Sequence, residues 1–325
     1  MNAQRWIERW NAFWFPPASP LNLAGARVVA AATQLFWFMP SLAHQVNLAS
    51  KNSEFIDPQP IIRVIAAVIP REALFNPTGV TVIWWGTAAA AVLALVGLFT
   101  RTSLFLLALG YWILIGHAYS YADVHHPQAL WAIFLMLLPF SPAGERLSID
   151  ALLRRRRGAG AGGSEPAAGR SELVMWPLKL THVLLAATYF STGITKLISG
   201  GLAWMNGYTL QNHLLSDAIA RDIPIGVWLA QQYELCVLLS VGTILFEVFY
   251  FVSLFVPRTA PLFFLGGILF HVGLYVTAGH PFFPHIMLNA ILLLFLDPAW
   301  FPNRIRRLEE ALGRRPAGAE APQPS

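Results

Sequence analysis

Several apolar runs in this chain approach or exceed the roughly 20 residues that a helix needs to cross a bilayer. That constrains the fold more than any other feature. Only 12% of the 325 residues are charged and 56% are hydrophobic, whereas a soluble domain carries about 25% charge. Mean hydropathy is +0.53. A transmembrane β-barrel would read as short alternating segments, and none are visible. The expected fold class is therefore all-α, a polytopic transmembrane helical bundle of about eight spans. They are read at roughly 21–43, 80–99, 102–120, 127–141, 175–198, 227–255, 259–278 and 284–298.

Residues 1–20 come first. Trp6, Trp10, Phe13 and Trp14 share one helical face, the pattern of an amphipathic helix lying in the membrane interface. "WIERWNAFWF" is too polar for the core of a signal peptide, so none is expected. Residues 21–300 hold the spans, with a flexible cytoplasmic linker near 152–172, and 301–325 form a cytoplasmic tail expected to be partly disordered.

The pI near 9.6 could point to nucleic acid. However, the basic residues cluster beside spans, at Arg154–Arg157 and Arg304–Arg307, and membrane topology explains them better. Arg5, Arg9, Arg101, the four-arginine run, Arg258 and the tail arginines fall on one side of an even number of spans. That side, with both termini, is expected to be cytoplasmic and the membrane a bacterial-type inner (plasma) membrane. Lys51, Arg63, Arg71 and Arg221 depart from this sorting. All histidines except His182 and His271 then collect near the outer face, together with Lys196.

One cysteine, Cys236, excludes an intrachain disulfide, CxxC chemistry and a cysteine-based zinc site. No H-x-x-x-H or H-E-x-x-H occurs with carboxylate partners, so no metal is expected. A phosphate cradle of the form G-x-x-x-x-G-K-[ST] and a G-x-S-x-G elbow are also absent. Matched broken helices in two halves, the mark of many transporters, are not evident.

"TYFSTGITKLISG" (188–200) places Lys196 near the outer end of a span. Tyr189, Thr192, Gly193 and Lys196 share a helical face, and the small residues beside the lysine suit close helix packing. Two readings follow. A bundle-facing lysine would be desolvated, and its neutral amine would accept a proton; a lipid-facing one would snorkel to the headgroups. His271, within the seventh span, needs a partner and serves function or packing. His126 opens the fourth span, where an interfacial polar residue is the plain alternative. Glu247, deep in the sixth span, is expected to form a structural ion pair with Arg27 of the first, and His182 is read as a packing residue.

"YFSTGITKLISGGLAWMNGYTL" (189–210) resembles the signature of the HTTM (horizontally transferred transmembrane domain) family, which is related to the membrane domain of vitamin K-dependent gamma-glutamyl carboxylase. The matching positions are Tyr189, Gly193, Lys196, Trp204, Gly207 and Tyr208. "HHPQALWAIFLMLLPFSPAGERLSIDALL" is similar to the carboxylase stretch with an important histidine, matching His126. "FHVGLYVTAGHPFFPHIML" resembles the segment with a further family histidine, matching His271. The resemblance implies a carboxylase-like membrane protein, a quinol-using enzyme in which Lys196 is the base and His126 and His271 support it. Tyr189, Trp204 and Tyr208 would then line the pocket, and a reduced quinone would be the cofactor. The partners would be the lipid bilayer and a secreted peptide or partner subunit. Two departures stand out. Thr195 replaces a second lysine, and the chain lacks the large lumenal substrate domain, so carboxylation of a propeptide-linked glutamate by this chain alone is not expected. A non-catalytic membrane protein that assists maturation or export of a secreted product is the alternative.

Overall fold

The computed structural model describes residues 3–51, 56–122, 124, 127–160 and 171–312. Among these the only regular elements are helices: α1 (Ala3–Trp14), α2 (Pro20–Thr33), α3 (Leu42–Ala49), α4 (Pro60–Ile65), α5 (Arg71–Leu74), α6 (Pro77–Val96), α7 (Thr100–Tyr119), α8 (Gln128–Leu137), α9 (Ile149–Gly160), α10 (Trp176–Gly200), α11 (Tyr208–Ala220), α12 (Pro224–Ala230), α13 (Tyr233–Phe249), α14 (Val252–Phe255), α15 (Ala260–Ala278), α16 (Phe283–Phe295) and α17 (Trp300–Ala311). His126, linker residues 161–170 and tail residues 313–325 lie outside the described residues. Helix α9 occupies the first part of the expected linker.

Local chemistry sets several of the ends. Pro20, Pro77 and Pro224 stand at helix starts, where a missing N–H costs nothing. Asn76 caps α6 by accepting from the Gly79 N–H at 2.8 Å. Gly97 ends α6 at φ +70°, a left-handed conformation that a Cβ would strain. Asp150, at the start of α9, caps α7 from outside. Its carboxylate accepts from the Phe99 N–H at 3.0 Å and from the Thr100 N–H and Oγ1 at 2.7 Å. Partial burial works to raise its pKa, yet these hydrogen bonds and Arg154 hold it below the ordinary carboxylate value.

A cap of this kind contributes about 1 kcal/mol. Asp150→Ala is therefore expected to lower stability by roughly that amount at neutral pH. Because the folded pKa is the lower one, the advantage of the native carboxylate is present above the unfolded value and lost as pH falls through the folded value. Stability measured for both proteins at pH 7 and pH 3 checks this: the gap should narrow on acidification, and an equal gap at both pH values would contradict the assignment.

Helices occur at all eight expected spans, and among the described residues four are long and apolar enough to cross a membrane: Pro77–Val96, Thr100–Tyr119, Tyr233–Phe255 and Pro257–Ala278. A fifth arises if Phe283–Phe295 and Trp300–Ala311, bent by 65°, are taken together. These lengths do not confirm a count of eight. α2 has 14 residues before a π turn, Gln34–Phe38, breaks its regularity. α8 has 10 before a 3-10 turn. α10 has 25, but Lys179, His182 and a series of Thr and Ser residues reduce its hydropathy.

The core is built on small residues. Ala24, Ala26, Ala30 and Ala31 of α2 and Ala90, Ala91 and Ala94 of α6 are almost fully buried, and these two helices pack together. Small side chains let helix backbones approach where lipid provides no hydrophobic drive between helices. α7 is the more central span, with 67% of its best window buried, against 22% for the α15 span. The outward faces carry large apolar side chains such as Trp37, Ile198, Phe255 and Leu262, as a lipid-facing surface requires.

Candidate functional site

Lys196 meets Glu247. The Lys196 Nζ donates to both carboxylate oxygens at 2.5 Å. The lysine side chain is 20% exposed and the glutamate 4%. Gly193, one turn before the lysine, makes this possible: a Cβ there would stand 3.0 Å from Glu247 Cβ and from the Val248 nitrogen. The "STGITK" pattern therefore brings α10 onto α13 at the level of the ion pair.

Trp204 covers the pair. Its ring lies 5.1 Å from the lysine Nζ, within cation–π range. The chain returns to this position through Gly200 and Gly201. A Cβ at Gly200 would be 2.7 Å from Trp204 Cδ1, and Gly201 has φ +56° and ψ −148°, a conformation natural only to glycine. The glycine pair after the lysine thus folds the tryptophan back over it.

A second cluster lies on the same helix, two turns inward. The Tyr189 hydroxyl is 2.9 Å from His271 Nε2 and accepts from Asn289 Nδ2 at 3.2 Å. Asn289 Nδ2 also donates to the His285 carbonyl at 2.8 Å, and the Tyr250 hydroxyl donates to Asn289 Oδ1 at 2.8 Å. The Tyr189 and Tyr250 rings stack at 4.4 Å. His271 Nδ1, on the other side of the ring, has no hydrogen-bond partner. Glu247 lies three residues before Tyr250, the residue that caps the end of α13, so the end of this helix joins the two clusters.

The expected site residues are therefore divided. Lys196 and Trp204 form one group and Tyr189 and His271 another. Tyr208 is 55% exposed and packs on Tyr233 at 5.1 Å. The expected Arg27–Glu247 pair is corrected. Glu247 takes Lys196 as its counter-ion, and Arg27, fully buried, donates from Nη2 to the Leu147 carbonyl. The reason lies in the packing: α2 lies on α6 and α16, and α13 lies on α10. His182 is a packing residue as expected, buried with Nε2 2.8 Å from Ser253 Oγ. Among the described residues no cluster could hold a metal.

Sequence reading missed Asn289, Tyr250 and His285. Asn289 carried a usable signal, an amide inside an apolar helix four residues after His285, which needs partners in a bilayer. Tyr250 carried none beyond its i+3 spacing from Glu247.

An ion pair and a tyrosine–histidine–asparagine cluster buried in an apolar all-helical bundle define an integral membrane protein with an internal polar site. The HTTM domain profile matches residues 15–300, and the chain belongs to the HTTM family. That membership is consistent with the relation to the carboxylase membrane domain noted above. No curated protein matches the chain, and no solved structure does.

Proposed function

We propose that this protein is a carboxylase-like membrane enzyme that uses a quinol, with Lys196 as the base, at an outward-facing site of a bacterial-type inner membrane. The observation that carries the reading is the Lys196–Glu247 pair under Trp204. Ionisable residues within spans are functional candidates by default. This pair has the chemistry to move a proton, and the lysine keeps enough exposure to meet a ligand.

The residues fit a phenolic ligand: an amine, a carboxylate and a flat aromatic wall. A bound quinol would supply an acidic O–H. In the pair, transfer of the ammonium proton to Glu247 leaves a neutral amine and a neutral carboxylic acid. The amine of Lys196 then takes the ligand proton and becomes an ammonium again, balanced by the new anion. Glu247 thereby both holds the lysine in place and stores the proton. Tyr189 and His271 support α10 from within the bundle, and a secreted peptide or partner subunit is the proposed acceptor of the later chemistry.

Purified protein in nanodiscs, given a short-chain reduced naphthoquinone and air, is expected to consume oxygen in a quinol-dependent way, and Lys196→Ala should abolish this. Absence of turnover in the native protein would overturn the enzymatic reading and leave a maturation or export helper. The proposed topology has both termini and the arginine run in the cytoplasm. A cysteine at position 160 in a Cys236→Ala background should resist an impermeant thiol reagent in intact cells and react after lysis. Labelling in intact cells would reverse that topology.

A further inference from the structure

Helix α17 leaves α16 at a bend of 65°. Specific contacts build this bend. Asn22, in the first turn of α2, donates from Nδ2 to the Phe295 and Asp297 carbonyls at 2.9 and 2.7 Å. Asp297 Oδ1 accepts from the Ala299 and Trp300 N–H groups at 2.8 and 3.1 Å, satisfying donors that a helix start leaves open. The Phe295 and Phe301 rings meet edge to face at 4.8 Å across the corner. The direction of α17 is therefore set by the end of the bundle from which it starts.

Its charges keep α17 out of the hydrocarbon. Arg304, Arg306, Arg307, Glu309 and Glu310 fall within seven residues, and all but Glu309 are exposed. Charged side chains in a bilayer core are rare and face the bundle interior, so α17 does not complete a span begun by α16. Its apolar residues are nonetheless ordered. Phe301, Ile305, Leu308 and Leu312 recur at helical spacing. The first two are half-buried, and α17 packs on α2 and α16. Leu308 and Leu312, farther along, are 59% and 72% exposed. Trp300, Arg304 and Arg307 share one flank of this stripe by i, i+4 and i+7 spacing, and the Arg304 guanidinium lies 5.4 Å from the Trp300 ring. Glu310 is turned toward Arg306, whose Nε is 3.9 Å from its carboxylate.

We infer that α17 lies on the membrane surface and docks there on anionic phospholipid headgroups. Leu308 and Leu312 enter among the acyl chains, and Arg304 and Arg307 meet the phosphates. An apolar stripe with a basic flank is the pattern of helices that bind in the interface plane, and tryptophan sits at headgroup level. Charge complementarity selects the lipid. Each arginine close to an anionic surface strengthens binding about fivefold, a gain that a zwitterionic surface does not offer. The inference is independent of a role for Lys196 in catalysis.

The test uses the full chain in nanodiscs of phosphatidylcholine, alone or mixed with phosphatidylglycerol. In the Cys236→Ala background, Leu312→Cys and Glu310→Cys each carry a nitroxide, and collision with oxygen or with a water-soluble nickel chelate reports depth. In the mixed nanodiscs the label at 312 should sit below the headgroups and the label at 310 in water. Phosphatidylcholine alone or high salt should release the label at 312. Arg304→Gln with Arg307→Gln changes two exposed side chains and should fold normally. It should lower the docked-to-undocked ratio in the mixed nanodiscs about 25-fold. Three results would each overturn the proposal. A label at 312 that stays in water in both lipids means a free tail. Labels at 310 and 312 both deep in lipid mean a broken span. Docking that ignores both lipid charge and the two arginines means apolar contact alone.

Discussion

Lys196→Arg and Lys196→Ala are both expected to insert in normal amounts and both to abolish quinol-dependent turnover. Removing a positioned base commonly costs 10²- to 10⁴-fold in rate. The arginine variant decides the matter. Arginine pairs with a carboxylate at least as well as lysine, and stays charged throughout. If Lys196 only balances Glu247 or anchors a helix end, an arginine in its place would serve equally and the protein would be unchanged. If Lys196 must release and regain a proton, arginine leaves a well-folded, inactive protein. Steady-state turnover normalised to the folded fraction from size-exclusion chromatography separates these outcomes, and full activity in Lys196→Arg would refute the base assignment.

The second large effect concerns stability. Glu247→Ala leaves the lysine ammonium with no counter-ion in an apolar bundle. Breaking a fully buried pair costs about 3–5 kcal/mol. Lys196 retains some exposure, so about 2 kcal/mol is expected. Replacing both partners, Lys196→Met with Glu247→Leu, removes the unpaired charge and should return stability to within about 1 kcal/mol of the native chain. That double variant should remain inactive. Unfolding in sodium dodecyl sulfate titrations reads both. A double variant as unstable as the sum of its single changes would show that the pair does not interact.

The two predictions rest on contacts that the sequence disclosed unequally. Lys196 and His271 could be singled out because an ionisable residue in an apolar run must have a partner. Gly193 and the small residues beside it announced a close approach, whereas the turn at Gly200–Gly201 appeared only in the structure. Which residue they approached was not legible: Glu247 lies 51 positions from Lys196, and Arg27 was chemically as good a counter-ion. Tyr208 belongs to the same family signature as Trp204, yet one ring covers the lysine and the other packs on Tyr233.

Composition and the lengths of the apolar runs determined by themselves that this is a helical membrane protein, because lipid demands that each span satisfy its own backbone. Eight helices fell where periodicity and proline placed them, since those signals are local. Only the tertiary structure decided where those helices break from regularity, as α2 does at the Gln34–Phe38 π turn, and which carboxylate faces Lys196. Such facts depend on which helix packs on which. In a bundle whose faces are nearly all apolar, hydropathy does not encode that choice; it is made by small residues and a few buried polar pairs at the contacts.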